Sequence, residues 1–186
     1  LTALREVIQS SDLTGFPVDK LRHVMSQRGK LLTFEPAEIE DLLHMEYGDK
    51  RAFPLLSLLF PFIDLRNQFH LDHVFPISRL SVAKLRKEGF DEASAETMAA
   101  HANALPNLQL LEGAINNEKR ASLPHDWLNR SYPDDQSRQH YLSKHELGNI
   151  PADLKGFEVF YRDRQERIRH RLYALLGGEA QNAQPL

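Results

Sequence analysis

The chain has 186 residues, 41% of them hydrophobic and 26% charged, with a formal net charge of −3. That is ordinary for one globular domain with a real core, and the charge argues against a dedicated duplex-binding module. The absence of cysteine excludes disulfides and thiolate metal sites, and the longest apolar run, AFPLLSLLFPFI at 52–63, is broken by prolines and falls short of the roughly 20 residues a membrane-crossing helix needs.

The N-terminal 60 residues read as helices. Ala3, Leu4, Val7 and Ile8 keep helical spacing, and PVDKLRHVM at 17–25 repeats it through Val18, Leu21, Val24 and Met25 before Gly29. PAEIEDLLHMEY at 36–47 has a proline in its first turn and acids behind it. FPLLSLLF at 53–60 is too apolar for an exposed helix and should be buried. At QFHLDHVF, 68–75, the pattern changes to a strand ending before Pro76. Residues 79–88 and 92–103 read as two helices around Gly89, the second capped by Asp91 or Ser94. PNLQLLEG at 106–113 is a second short strand, AINNEKRA at 114–121 a helix, PHDWL at 124–128 a helical turn and 134–144 a polar helix. A last helix runs from about Leu154 to Leu176, with Phe157, Phe160, Tyr161, Ile168, Leu172 and Leu175 inward, and 177–186 is a disordered tail. The expected fold is mostly α with a small embedded β-hairpin, because two short strands need a helix to pack on.

The chemistry collects around that hairpin. Asp72 and His73 end the first strand, Asn107 opens the second, and the following helix carries Asn116 with Lys119 one turn later on the same face. Strict alternation would point Asp72 and His73 to opposite sides; at a strand end before Pro76 both could turn into one cleft. An oxygen ligand, an imidazole, an amide and an ammonium around one point suit phosphodiester cleavage. His73 titrates in the right range to take a proton from water. Asp72 and the Asn116 carbonyl oxygen are hard donors suited to Mg²⁺, with Mn²⁺ as a substitute. Asn107 would orient the imidazole, and Lys119 would contact a phosphate. Asn117 competes with Asn116 as ligand or serves the loop, and His70 either touches a phosphate or is structural.

DHVFP at 72–76, NLQLL at 107–111 and NNEK at 116–119 resemble the three segments of an HNH (ββα-metal, His-Me finger) endonuclease. The resemblance implies a ββα-metal core surrounded by helices, with His73 as general base, Asp72 and Asn116 as metal ligands, Asn107 as support and Lys119 matching a frequent lysine. More widely, the apolar helix before His70, LPHDW at 123–127, Ile150-Pro151 and the late helix with Phe157, Phe160 and Arg164 resemble the C-terminal nuclease domain of modification-dependent antiphage restriction proteins of the GmrSD and SspE types. On that resemblance, 50–176 is the nuclease domain with a helical insertion at 79–103. Residues 1–49 are then a helical bridge to an N-terminal nucleotide-binding sensor half that lies outside this chain. A cytoplasmic DNA endonuclease of low sequence specificity follows, serving as the effector of a phage-restriction protein. A non-catalytic nucleic-acid-binding or assembly module and an RNA-directed nuclease stand as alternatives.

DNA is the expected partner, through His70, Arg79, Lys84, Arg86, Lys87, Arg120, Arg162 and Arg169, while the acidic stretch 35–49 is avoided. Trp127 is expected as a core anchor, Arg164 as an inward cation paired with a buried acid, and His125, His140 and His145 as solvent-facing.

Overall fold

A computed structural model describes residues 2–9, 17–29, 34–63 and 67–176. The expected tail at 177–186 lies outside the described residues. The fold is mostly helical around one two-stranded antiparallel sheet. Helices α1 (Thr2–Gln9), α2 (Val18–Ser26), α3 (Pro36–Leu43) and α4 (Ala52–Leu59) precede β1 (Phe69–His73). After a 3-10 turn at Ile77–Arg79 come α5 (Val82–Lys87) and α6 (Glu92–His101). Strand β2 (Leu108–Glu112) leads directly into α7 (Gly113–Lys119). Then follow α8 (Pro124–Ser131), α9 (Asp135–Lys144) and α10 (Phe157–Leu176).

The sheet divides the core because its side chains alternate. Leu108 and Leu110 of β2 face a cluster containing Ile39, Leu43, Leu56, Leu59 and Ile168, whereas Leu111 faces one containing Phe75, Trp127, Tyr141, Phe157 and Phe160. The long helix α10 serves both, its first half in one cluster and its second in the other. Arg164 sits at the changeover, fully buried, and donates to Pro106 O at 2.7 Å and His145 O at 3.5 Å. Its partners are therefore carbonyls rather than the expected acid, because no carboxylate among the described residues lies within ion-pair reach of it. Burial lowers its pKa to about 9, which still leaves it cationic near neutrality.

The register pairs Phe69 with Glu112, Leu71 with Leu110, Asp72 with Gln109 and His73 with Leu108. Helix α6 is capped by Asp91, whose carboxylate accepts from Ser94 N at 2.8 Å. Helix α3 and the segment after it pack into the same body as 50–176. Ile39 and Leu43 are in the core, Arg169 of α10 meets Glu40 at 3.1 Å, and Glu46 pairs with Ala104. No described helix is long and apolar enough to cross a membrane.

Candidate functional site

The end of β1 is built by backbone hydrogen bonds that the side chain of Asn107 completes. Val74 N donates to Asn107 O at 2.8 Å, and Phe75 N donates to Asn107 Oδ1 at 2.9 Å. The Asn107 amide donates in turn to Phe75 O at 3.0 Å and Ala102 O at 2.8 Å. Asn107 is wholly buried. It thus fixes the chain beyond His73 and not the imidazole, since all its hydrogen-bonding groups are engaged by backbone. The amide that meets the ring is Asn103, with Oδ1 2.9 Å from His73 Nε2. Tyr47, half exposed, lies against the same ring at 4.7 Å between centroids, and its backbone N–H donates to Asn103 O.

Asp72 faces the other way. Its Oδ2 accepts from Gln109 Nε2 at 3.0 Å and meets Lys119 Nζ at 2.9 Å. Gln109 in turn accepts from the Tyr141 hydroxyl at 3.1 Å. Asp72 and His73 thus leave β1 on opposite sides, as regular pairing requires, and do not turn into the one cleft expected at the strand end. What joins them there is Lys119, which also donates to His73 O at 2.6 Å. Only 1% of Lys119 is exposed, so the expected phosphate contact does not hold: a buried ammonium fixed by a carboxylate and a carbonyl cannot reach a ligand in solvent. Burial lowers its pKa while Asp72 opposes that shift.

Burial also lowers the His73 pKa below its ordinary value, against the raising effects of the Asn103 contact and the Asp72 charge. With Asn103 Oδ1 accepting, Nε2 is the protonated nitrogen, which in a neutral ring leaves Nδ1 its lone pair.

Helix α7 packs on both strands and carries Asn116 one turn before Lys119, on the face turned to the hairpin. Asn116 is half-buried with no side-chain hydrogen bond, Asn117 is exposed, and Asp72 Oδ1 has no protein donor among the described residues. A carboxylate oxygen and an amide carbonyl free of protein donors are hard donors, and Mg²⁺, which keeps most of its water, fits such a sparse set. Among the described residues no three His, Cys, Asp or Glu side chains form a metal-binding group.

The basic residues fall into two kinds. Arg79, Lys87 and Arg162 are exposed without ion-pair partners among the described residues, and His70 is exposed beside Gly113. Lys84 donates to Ser78 O, Arg86 to Phe90 O and Arg120 to Asn117 O. Arg169 is held by Glu40 and Glu166, which removes it from the phosphate-contact set. His145, expected in solvent, is buried and stacked on Tyr141 at 4.1 Å, because α9 turns this face to the core. No family model and no curated protein matches the chain.

Sequence reasoning missed Asn103, Gln109 and Tyr47. Gln109 was findable only through the register, since pairing His73 with Leu108 sets it opposite Asp72. Asn103, 30 residues from His73, belongs to no motif, and Tyr47 lies just outside the expected domain boundary.

Proposed function

We propose that this chain is a Mg²⁺-dependent DNA endonuclease of the HNH, ββα-metal kind. The observation that carries the reading is the placement of His73 at the end of β1, with Nε2 2.9 Å from Asn103 Oδ1 and Nδ1 without a protein hydrogen bond among the described residues. Asp72 and Asn116 would hold the ion. Once bound, Mg²⁺ supplies neutralisation of charge on the phosphoryl oxygens and on the departing 3′ oxygen. A phosphodiester laid across the end of β1 meets His73 on one side and Asp72 on the other. There His73 Nδ1 accepts the proton of the attacking water. Lys119 holds the Asp72 carboxylate and the carbonyl of His73, so its role is to position. Service as the effector of a restriction protein, with a sensor half elsewhere, belongs to the same reading.

His73→Ala should keep the fold and DNA binding and lose cutting by at least about 100-fold, the scale of general-base catalysis. Relaxation of supercoiled plasmid in Mg²⁺ and in chelator measures this, with single-stranded DNA and RNA as parallel substrates. Undiminished relaxation by the variant would remove the assignment. The second reading, a non-catalytic module of the same fold, is favoured by the Asp72–Lys119 pair, which already neutralises the carboxylate. Absence of Mg²⁺-dependent cutting by the wild-type chain would select it.

A further inference from the structure

A cavity of about 660 Å³ opens at the far end of the hairpin, where β1 begins and β2 ends. Four of its rings form a continuous series of contacts. Tyr132 lies 5.0 Å from Tyr141, Tyr141 stacks on His145, and His145 meets Phe62 edge-on at 4.7 Å. The rim is polar. Asn67, Gln136 and Ser137 bring amides and a hydroxyl, Glu112 and Asp134 carboxylates, and Lys144 an ammonium 4.4 Å from the Phe62 ring centre. Asp72, His73 and Asn116 do not line it, so it is separate from the candidate site.

Two carboxylates against one lysine give no surplus of positive charge, which disfavours a simple anion. Asp134 already accepts from Ser137 N and Oγ as the cap of α9, so the rim calls for a hydrogen-bond donor to meet Glu112 and an acceptor to meet Lys144. The wall calls for a flat π face. A nucleobase has all three: apolar faces and, along its edge, an exocyclic amino group beside ring acceptors. We infer that this cavity takes an unpaired nucleobase of the strand being cut, and so positions substrate. The inference rests on the nuclease reading and adds to it a substrate class: strands with an extrahelical or single-stranded base, in preference to intact duplex.

Two further observations fit. Phe69 of the cavity wall is four residues from His73 along β1, about 13 Å, a span of a few nucleotides. Tyr141 of the same wall donates to Gln109, which donates to Asp72, so wall and carboxylate share one hydrogen-bonded chain.

Trp127, the single tryptophan, lies 5.3 Å from Tyr141 and 5.9 Å from Tyr132 and reports on the wall by its fluorescence. The test titrates the chain, in chelator, with dAMP, dGMP and dCMP, and with deoxyribose 5-phosphate as the base-less control. A saturable change with at least one nucleotide and none with the control is expected. Lys144→Ala and Gln136→Ala, both at exposed positions, should each weaken binding by about threefold, and Tyr132→Ala by at least about fivefold. No saturable response to any nucleotide, an equal response to the base-less sugar phosphate, or full affinity in both exposed-site variants would overturn the inference. The titration needs neither metal nor cleavage, so its failure leaves the His73 result standing. Saturable binding by a chain that cuts nothing would instead remove the nuclease reading and support the cavity's ligand class.

Discussion

Lys119 shows how far a residue's role departs from its place in a motif. Its spacing from Asn116 is what a phosphate-contacting lysine would have, yet it is buried between Asp72 and the carbonyl of His73. Removing one partner of such a pair leaves the other desolvated and uncompensated. Lys119→Met should therefore cost about 3 kcal/mol of stability in urea unfolding. A lysine whose work was to bind phosphate would instead leave stability unchanged and raise KM. The same distinction applies to Asn107 and Asn103. The sequence places Asn107 at the mouth of β2, but spacing along a chain cannot say which of two nearby amides reaches a ring. The backbone around Phe75 claims Asn107, and Asn103, delivered by the end of α6, is left to meet His73. Asn103→Leu should lower the cutting rate by about tenfold or more with little change in KM, since it frees Nε2 and lets the imidazole choose its tautomer. Steady-state kinetics on a supercoiled substrate would separate this from a loss of binding.

At the level of elements, the hairpin, α7 and α10 were legible because each combines a strong period with a boundary residue. Pro76 closes β1, Gly113 opens α7, and Phe157 to Leu172 holds a helical stripe. Legibility stops where tertiary contact overrides local pattern. Residues 79–88 read as one helix, but after Pro76 the chain first makes a 3-10 turn through Arg79 and restarts at Val82. The polar α9 reads as exposed, yet its Tyr141 and the residue that caps its C-terminus, His145, are buried. Burial lowers the His145 pKa from 6.5 to about 3, with the nearby charges of Arg164 and Lys144 acting the same way. The unfolded chain therefore binds this proton first, and the stability His145 permits is full above 6.5 and lost as pH falls. Between about pH 7.5 and about pH 5.5 the wild-type chain should lose about 1.4 kcal/mol more than His145→Gln. Urea midpoints at the two pH values measure the difference.

For the whole molecule, a net charge of −3 means that nucleic acid must be met by a local surface rather than an overall attraction. Composition showed the arginines of α10 but not their partners, and pairing divides them. Arg162 is exposed and unpaired among the described residues, while Arg169 ties α10 to α3 through Glu40. Arg162→Ala should lower DNA affinity and reduce the slope of log K against log salt by about 1, whereas Arg169→Ala should leave that slope unchanged. Fluorescence anisotropy across a salt series distinguishes them. The central claim is narrower still: one divalent ion between the strand and the helix that follows the hairpin. A crystal soaked in Mn²⁺ and measured for anomalous scattering tests it most directly. The expected result is a single strong peak within coordination distance of both Asp72 Oδ1 and the Asn116 amide oxygen. A peak elsewhere, or none at these two side chains at saturating Mn²⁺, would contradict the account.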